Sequence, residues 1–383
     1  MNGAGPTVRV LDSVRGLDAA QWDACAGHAN PFVSHAFLSI LEESGSVGPG
    51  TGWQPLPLVV ERQDGLLVGA VPAYAKSHSQ GEYVFDHGWA EAWERGGKRY
   101  YPKIQVAVPF SPVPGPRLLM RSPDAGPFLL AGLAGLVEAN GLSSGHATFV
   151  EEAQIPLFRE AGWLIRQDSQ FHWLNAGYGS FEDFLGALSS RRRKDIRKER
   201  ARAQEGLEIV HLTGADISEA HWDAFWHFYQ DTGARKWGRP YLTRSFFSML
   251  GERMGDKVLL MFAERAGRPI AGALNLIGAD TLYGRYWGSS EEVPYLHFEL
   301  CYYQAIDAAI ERGLARVEAG AQGAHKLARG YRPVPTWSAH FIPDKGFRNA
   351  VADFLRREAA AVESDRSYLD ERAPFRKGSD CTD

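Results

Sequence analysis

Apolar and polar positions along the chain predict one order of elements, and they predict it twice. An opening helix around Trp22 is followed by a second short helix, Ser34 to Glu43. The same pair recurs around Trp222 and over Thr243 to Arg253. Each pair leads into two apolar strands joined by a glycine-bearing turn: Leu56 to Glu61 and Leu66 to Tyr74 about Gln63-Asp64-Gly65, then Val258 to Glu264 and Ile270 to Ile277 about Ala266-Gly267-Arg268. Apolar runs flanking such turns are the signature of a hairpin. A third strand is expected over Glu82 to Phe85 and over Thr281 to Trp287. A helix feeding a strand then closes each copy: Phe128 to Asn140 into Ala147 to Val150, and Leu296 to Glu311 into Ala315 to Ala319. Gly141 and Gly313 stand where a helix ends in a left-handed residue.

The residues repeat as well as the pattern. Trp22-Asp23-Ala24 returns as Trp222-Asp223-Ala224, and Ala36-Phe37-Leu38-Ser39-Ile40-Leu41 returns as Ser245-Phe246-Phe247-Ser248-Met249-Leu250. Glu61-Arg62 with Gly69-Ala70-Val71 returns as Glu264-Arg265 with Gly272-Ala273-Leu274. Glu160-Ala161-Gly162-Trp163 with His172 answers Ala328-Arg329-Gly330-Tyr331 with His340. A period this long is a duplicated domain rather than a solenoid unit. Antiparallel strands followed by a helical crossover make each lobe a mixed α/β sheet. The expected division is an N-terminal lobe 1–178 with an insertion 89–120, a basic inter-lobe helix 179–205, a C-terminal lobe 206–345, and a helix with a fraying tail over 346–383. A cleft between two packed copies is a favoured place for a small ligand.

Bulk properties narrow the partners. The 383 residues carry a formal net charge of −4, so no global attraction to polyanions is expected. The three cysteines, Cys25, Cys301 and Cys381, follow neither a disulfide nor a zinc spacing. Met1 to Val10 lacks the apolar run of a signal peptide, and no stretch approaches the ~20 apolar residues of a membrane span. The expected location is the cytoplasm.

Local chemistry concentrates at and after the junction. Arg191 to Arg200 holds seven basic residues in ten, after a capping-box-like start at Ser180 and Asp183. Such a helix is either a solvated face or a phosphate site, and arginine grips phosphate with two donors. On a wheel of ~100° per residue, Glu299 falls on the apolar face of the Leu296 helix, so it is either a structural ion pair or a base tuned by burial. Glu318, Gln322, His325 and Lys326 form a polar cluster at a glycine-bounded strand end. Arg235, Lys236 and Trp237 mix cations with an aromatic. The strand Tyr283 to Trp287 offers Arg285 and Trp287 on one face and Tyr286, a candidate proton donor, on the other. Asp86, His87 and His35 match no metal-ligand spacing, and no metal is expected.

Several of these segments resemble the Fem-like predicted N-acyltransferases of the GNAT superfamily. They are Tyr283-Gly284-Arg285-Tyr286-Trp287-Gly288, Leu296-His297-Phe298-Glu299, Gly320 to Lys326, Arg329-Gly330-Tyr331, Arg191 to Arg200, Arg235-Lys236-Trp237-Gly238 and Tyr100-Tyr101-Pro102-Lys103. The resemblance implies tandem GNAT-like lobes and transfer of an acyl group to an amine. Fem peptidyltransferases of that wider group add amino acids from aminoacyl-tRNA to peptidoglycan precursors. An acidic residue commonly precedes the family's His-Lys pair, and here that position is Ala324, which shifts the expected base to Glu299 or Glu318. The turn that would hold CoA pyrophosphate reads Ser289-Ser290-Glu291-Glu292-Val293-Pro294, and two carboxylates there repel phosphate.

The resulting expectation is an N-acyltransferase acting by direct amine attack. Its catalytic residues would be Glu299, with Glu318, Tyr286 and His325. Donor and acceptor would be held by Arg192, Arg193, Lys194, Arg197, Arg235, Lys236, Trp237, Arg285, Trp287, His297, Gln322, Lys326 and Arg329. No cofactor is expected to be tightly bound; acyl-CoA or aminoacyl-tRNA is the co-substrate and a small amine the acceptor. The rivals are a silent recognition module for cell-wall or aminoacyl ligands and an RNA-binding protein using the basic helix.

Overall fold

The computed structural model describes residues 5–237, 240–320 and 323–376, without the side chains of 233–237 and Ala324. The chain forms two compact units, Met1–Asp168 with Pro335–Ser364, and Ser169–Val334 with Asp365–Asp383.

The first unit begins with β1 (Thr7–Val10), β2 (Trp53–Pro55), β3 (Leu58–Glu61), β4 (Leu67–Val71) and β5 (Ala73–Lys76), followed by β6 (Lys103–Val106), β7 (Leu119–Met120) and β8 (Gly145–Val150). One antiparallel sheet runs β1-β3-β4-β7. Pro72, which has no N–H to give a ladder, separates β4 from β5 and lets the chain pass into a second array. There β2, β5, β6 and β8 neighbour one another in that order, with only β6 and β8 parallel. The helix Ala125–Ala139 buries Leu129, Leu133 and Val137 at four-residue steps against Leu58, Val60, Val71 and Ile104.

The second unit repeats the plan with longer central strands. β9 (Leu164–Leu174) enters it, followed by β10 (Glu208–Leu212), β11 (Val258–Arg265), β12 (Arg268–Ile277), β13 (Thr281–Ser289) and β14 (Arg316–Glu318); β15 (Arg332–Phe341) leads back into the first unit. The order is β10-β11-β12-β13-β14-β9, with β13 and β14 parallel. Its core gathers Leu259, Met261, Ile270, Leu282, Leu300, Tyr303, Ile306 and Val317.

Each copy's last strand completes the other copy's unit. His172 of β9 pairs with Glu318 of β14, and His340 of β15 pairs with His146 of β8. The two histidines matched by the repeat therefore hold equivalent register positions. The compact units consequently do not follow the copies end to end, because the chain changes unit within β9 and within β15.

Two expected elements differ. Glu82 to Phe85 is not a strand; Lys103–Val106 takes that place, because it is the segment lying parallel to β8 as β13 does to β14. The expected insertion 89–120 accordingly contains two sheet strands. The Leu296 to Glu311 helix is α-helical only at its ends, with a π-helical turn over Glu299–Tyr303. Among the described residues, no helix is long and apolar enough to cross a membrane.

Candidate active site

β13 and β14 pair only from Thr281–Arg316 to Tyr283–Glu318. β14 then ends, while β13 continues along β12 to Ser289. The parting begins at Gly284, where a side chain would lie 3.4 Å from the Glu318 carbonyl oxygen. Arg285 is the extra residue of a bulge, since Leu274 faces Tyr286 while Asn275 faces Gly284. Bulges of this kind re-aim side chains. At Gly288 a Cβ would stand 2.1 Å from the Phe228 carbonyl oxygen, so the helix Glu219–Trp237 lies directly on the strand backbone. A cavity of about 580 Å³ lies beyond, lined by Trp287, Glu291, Glu292, Leu296 and His297. Parting parallel strands leave backbone donors facing a ligand rather than a neighbour, the usual ligand position in α/β sheets.

The corresponding gap in the first unit is filled by the chain itself. Gly115 bridges to Val150, donating to the Phe149 carbonyl at 3.0 Å and accepting from Glu151 at 2.9 Å. Arg117, with 0% exposure, donates to the carbonyls of Thr148 at 2.8 Å and Val113 at 2.6 Å. Among the described residues no segment pairs into the corresponding gap of the second unit, which is therefore the candidate site.

Glu318 ends β14 at the parting, 7% exposed, between Tyr283 and His172 in register. His172 Nδ1 lies 4.0 Å from its carboxylate, and the other ring nitrogen is 3.2 Å from Gln170 Oε1. Burial, helped by the charges of Arg316 and Lys326, pushes His172 down to about 3, so Glu318 faces a neutral imidazole. Burial, then the Glu318 charge, raises the Tyr283 hydroxyl above its ordinary range. Lys326 is 1% exposed and donates to the Gly320 carbonyl at 2.7 Å. Burial lowers its ammonium to about 8; Cys301 opposes the shift and Arg285 adds to it. Tyr302 and His325 Nε2 share a hydrogen bond of 2.8 Å.

Glu299 requires a correction. It is 0% exposed and saturated: Arg200 Nε donates to both oxygens at 3.2 Å and Arg200 Nη2 to one at 3.0 Å. Gln204 and Gln304 add amide donors at 2.8 and 2.7 Å. Arg200 also reaches Asp307 at 2.7 Å. This is a structural ion pair tying the basic helix Ser190–Ala203 to the π-turn, with the carboxylate committed to four donor groups rather than to a substrate. Removing one partner of such a pair costs about 3–5 kcal/mol, whereas a general base needs a free lone pair.

The remaining expected residues divide. Trp287 and His297 contact each other edge-on, with ring centres 5.3 Å apart, and line the cavity. Tyr286 packs its ring against Tyr229 at 5.2 Å and under the Arg285 guanidinium at 5.3 Å, a packing position. Arg192 pairs with Asp195 at 3.8 Å, Arg197 with Glu182 at 2.5 Å, and Arg193 donates to the Gly186 carbonyl at 3.4 Å; Lys194 is exposed. Arg329 is buried among Phe298, Glu199 and the His325 carbonyl, not turned to the cavity. Gln322 and the side chains of Arg235, Lys236 and Trp237 lie outside the described residues.

Sequence reasoning missed His172, Tyr302 and Cys301 as neighbours of the site, and it missed a buried polar layer in the first unit. There Lys103 Nζ holds Asp86 at 2.5 Å, Glu82 at 2.8 Å and Ser79 at 2.9 Å, with Tyr100 donating to Asp86 at 2.8 Å. The repeated histidine was the available signal for His172. Nothing local marked Lys103 as buried.

The chain belongs to the FemAB-like family of peptidoglycan biosynthesis and recognition, which it matches over residues 13–377. Among solved structures it is similar to FemX, with 11% identity, TM-score 0.53, and coverage of 90% of this chain and 100% of that one. It is similar to L-PGS from Bacillus licheniformis at 10% identity and TM-score 0.52, covering 87% of this chain and 98% of that one. The C-terminal domain of a putative lysylphosphatidylglycerol synthetase from Agrobacterium fabrum matches at 9% identity and TM-score 0.55, covering 90% and 96%. At such identities the likeness is one of fold, a mixed α/β architecture. No curated protein matches the chain.

Proposed function

We propose that the protein is an N-acyltransferase whose reaction runs where β13 parts from β14. The observation that carries this reading is the open junction itself, with a buried carboxylate at its apex and backbone donors beyond. In the proposed reaction an amine acceptor gives a proton to Glu318, directly or through water, and attacks the donor's carbonyl. Amide N–H groups of β13 after Gly284 receive the developing oxyanion. Lys326, close to half-protonated above neutral pH, gives a proton to the departing alkoxide or thiolate. No covalent enzyme intermediate is required.

The donor we favour is aminoacyl-tRNA rather than acyl-CoA. Glu291 at the cavity is neutralised by Arg265 and Arg268, but Glu292 stays exposed at the rim beside the aromatic wall of Trp287. That lining suits the ammonium of an aminoacyl group better than a pyrophosphate. The Fem resemblance, whose peptidyltransferases take amino acids from aminoacyl-tRNA, favours the same choice. Amine-bearing wall precursors are the first acceptors to test, on the family's description. The test is a mass-spectrometric screen of charged tRNAs and acyl-CoAs against mixed amines. Product formed from an aminoacyl donor and abolished by Glu318→Gln supports the reading; saturable binding without product from any pair refutes it.

A further inference from the structure

Lys326 sits on a short helical turn, Ala324–Arg329, that would need an external hold to keep an ammonium almost wholly out of water. The turn is fastened at its two ends. At the front, Lys326 Nζ closes on the Gly320 carbonyl at 2.7 Å and its own N–H on the Gly323 carbonyl at 3.0 Å. At the back stands Arg329, 8% exposed at its side chain. Its Nη1 donates to the His325 carbonyl at 2.8 Å, the peptide that immediately precedes Lys326. Its Nη2 meets both oxygens of Glu199 at 2.9 Å, and its guanidinium carbon lies over Phe298, 3.4 Å from the ring centre. Glu199 is itself held by the Tyr303 hydroxyl from the π-turn. One ion pair therefore joins the basic helix, the π-turn and the backbone under Lys326.

A buried ion pair is not needed for stability as such, because well-packed apolar residues of similar volume are often as stable or more so. What the pair supplies is direction. A planar guanidinium with donors fixed in a fork sets its partners' orientation in a way that a hydrophobic contact does not.

We propose that Glu199 and Arg329 are positioning residues that hold Lys326 in its buried place at the parted strands. The inference deepens the acyltransferase reading, since it assigns the support of that reading's proton donor. Its consequence is physical and independent of turnover. Loosening the pair lets water reach the Lys326 ammonium, and its proton affinity rises toward that of an ordinary lysine. The charged and titratable groups facing Lys326 are Arg285 from β13, Cys301 from the π-turn and His172 from β9. Replacing Glu199 or Arg329 leaves these three in place but removes a charge of the pair. Losing the Arg329 cation raises the Lys326 midpoint by charge alone, whereas losing the Glu199 anion lowers it. An upward move in Glu199→Gln is therefore the one that reports loosening.

The experiment is competitive acetylation of the folded full-length chain with trace acetic anhydride from pH 6 to 11, with Lys326 modification read by mass spectrometry. Wild type should show half-maximal reactivity near pH 8. Glu199→Gln and Arg329→Gln should each move that midpoint up by at least one unit, with Arg329→Lys restoring part of it. Tyr303→Phe, which leaves the pair in place, should move it less. If Arg329→Gln does not fold, the near-isosteric Glu199→Gln decides alone. An unchanged midpoint in folded Glu199→Gln protein overturns the inference. Because the readout needs no substrate, it can fail while the acyltransferase screen succeeds, and the reverse.

Discussion

Replacing Glu299 separates a carboxylate that holds the fold from one that moves a proton. In Glu299→Ala, Arg200 keeps only Asp307, while the amides of Gln204 and Gln304 lose their shared acceptor. Stranding a buried charge in this way costs about 3–5 kcal/mol. For a unit the size of Ser169–Val334, each kcal/mol lowers the midpoint by ~2–4 °C, so a fall on the order of 10 °C is expected. Glu299→Gln keeps the shape but turns charge-assisted bonds into neutral ones, at about 1.5–3 kcal/mol. The assay is thermal unfolding by near-ultraviolet circular dichroism, alongside turnover at low temperature normalised to folded protein. Normalised turnover of Glu299→Gln should stay within about threefold of wild type, against the ~10²-fold loss expected of a general base. A normal midpoint with that larger loss would refute the structural assignment and return Glu299 to the chemistry.

Glu318→Gln should show the opposite behaviour, with turnover down by about 10² or more and the melting midpoint within a few degrees; comparable kcat in the two proteins counts against the proposed base. Lys326 has a folded value of about 8, below its unfolded value of 10.5, so between those pH values only the unfolded chain holds the proton. Stability of wild type relative to Lys326→Met should therefore rise with pH across that window, by about 3 kcal/mol, and a flat difference in urea unfolding would contradict the buried placement. Lys103→Met strands Asp86 and Glu82, a cost of about 3–5 kcal/mol, and should speed tryptic cutting at Arg95, Lys98 and Arg99. Unchanged cutting would show that Lys103 does not hold the segment 77–102.

Duplication was legible because the same motifs return in the same order, and the hairpins, the basic helix and the cap at Ser180, which accepts from the Asp183 N–H at 3.1 Å, stand where local pattern puts them. Partner choice was not legible. Leu164–Leu174 carries five polar residues in a row, Arg166 to Gln170, so local pattern neither announces this strand nor says that His172 pairs with a residue far along the chain. Glu82-Tyr83-Val84-Phe85 has the aromatic and β-branched residues of a strand, yet its glutamate is drawn to Lys103 and leaves the ladder to Lys103–Val106. The inward position of Glu299 follows from a 100° projection; its neutralisation depends on Arg200, 99 residues away, and on a π-turn that such a projection does not contain.

Hydrogen exchange with a bound, non-transferable aminoacyl donor analogue addresses the proposed reaction site most directly. Amide protection should appear over 284–289 and 296–303, the open side of β13 and the turn beyond it, and not over 104–118, where the first unit fills its own gap. Protection confined to 104–118, or none in either segment under saturating analogue, would contradict the assignment of chemistry to the second unit.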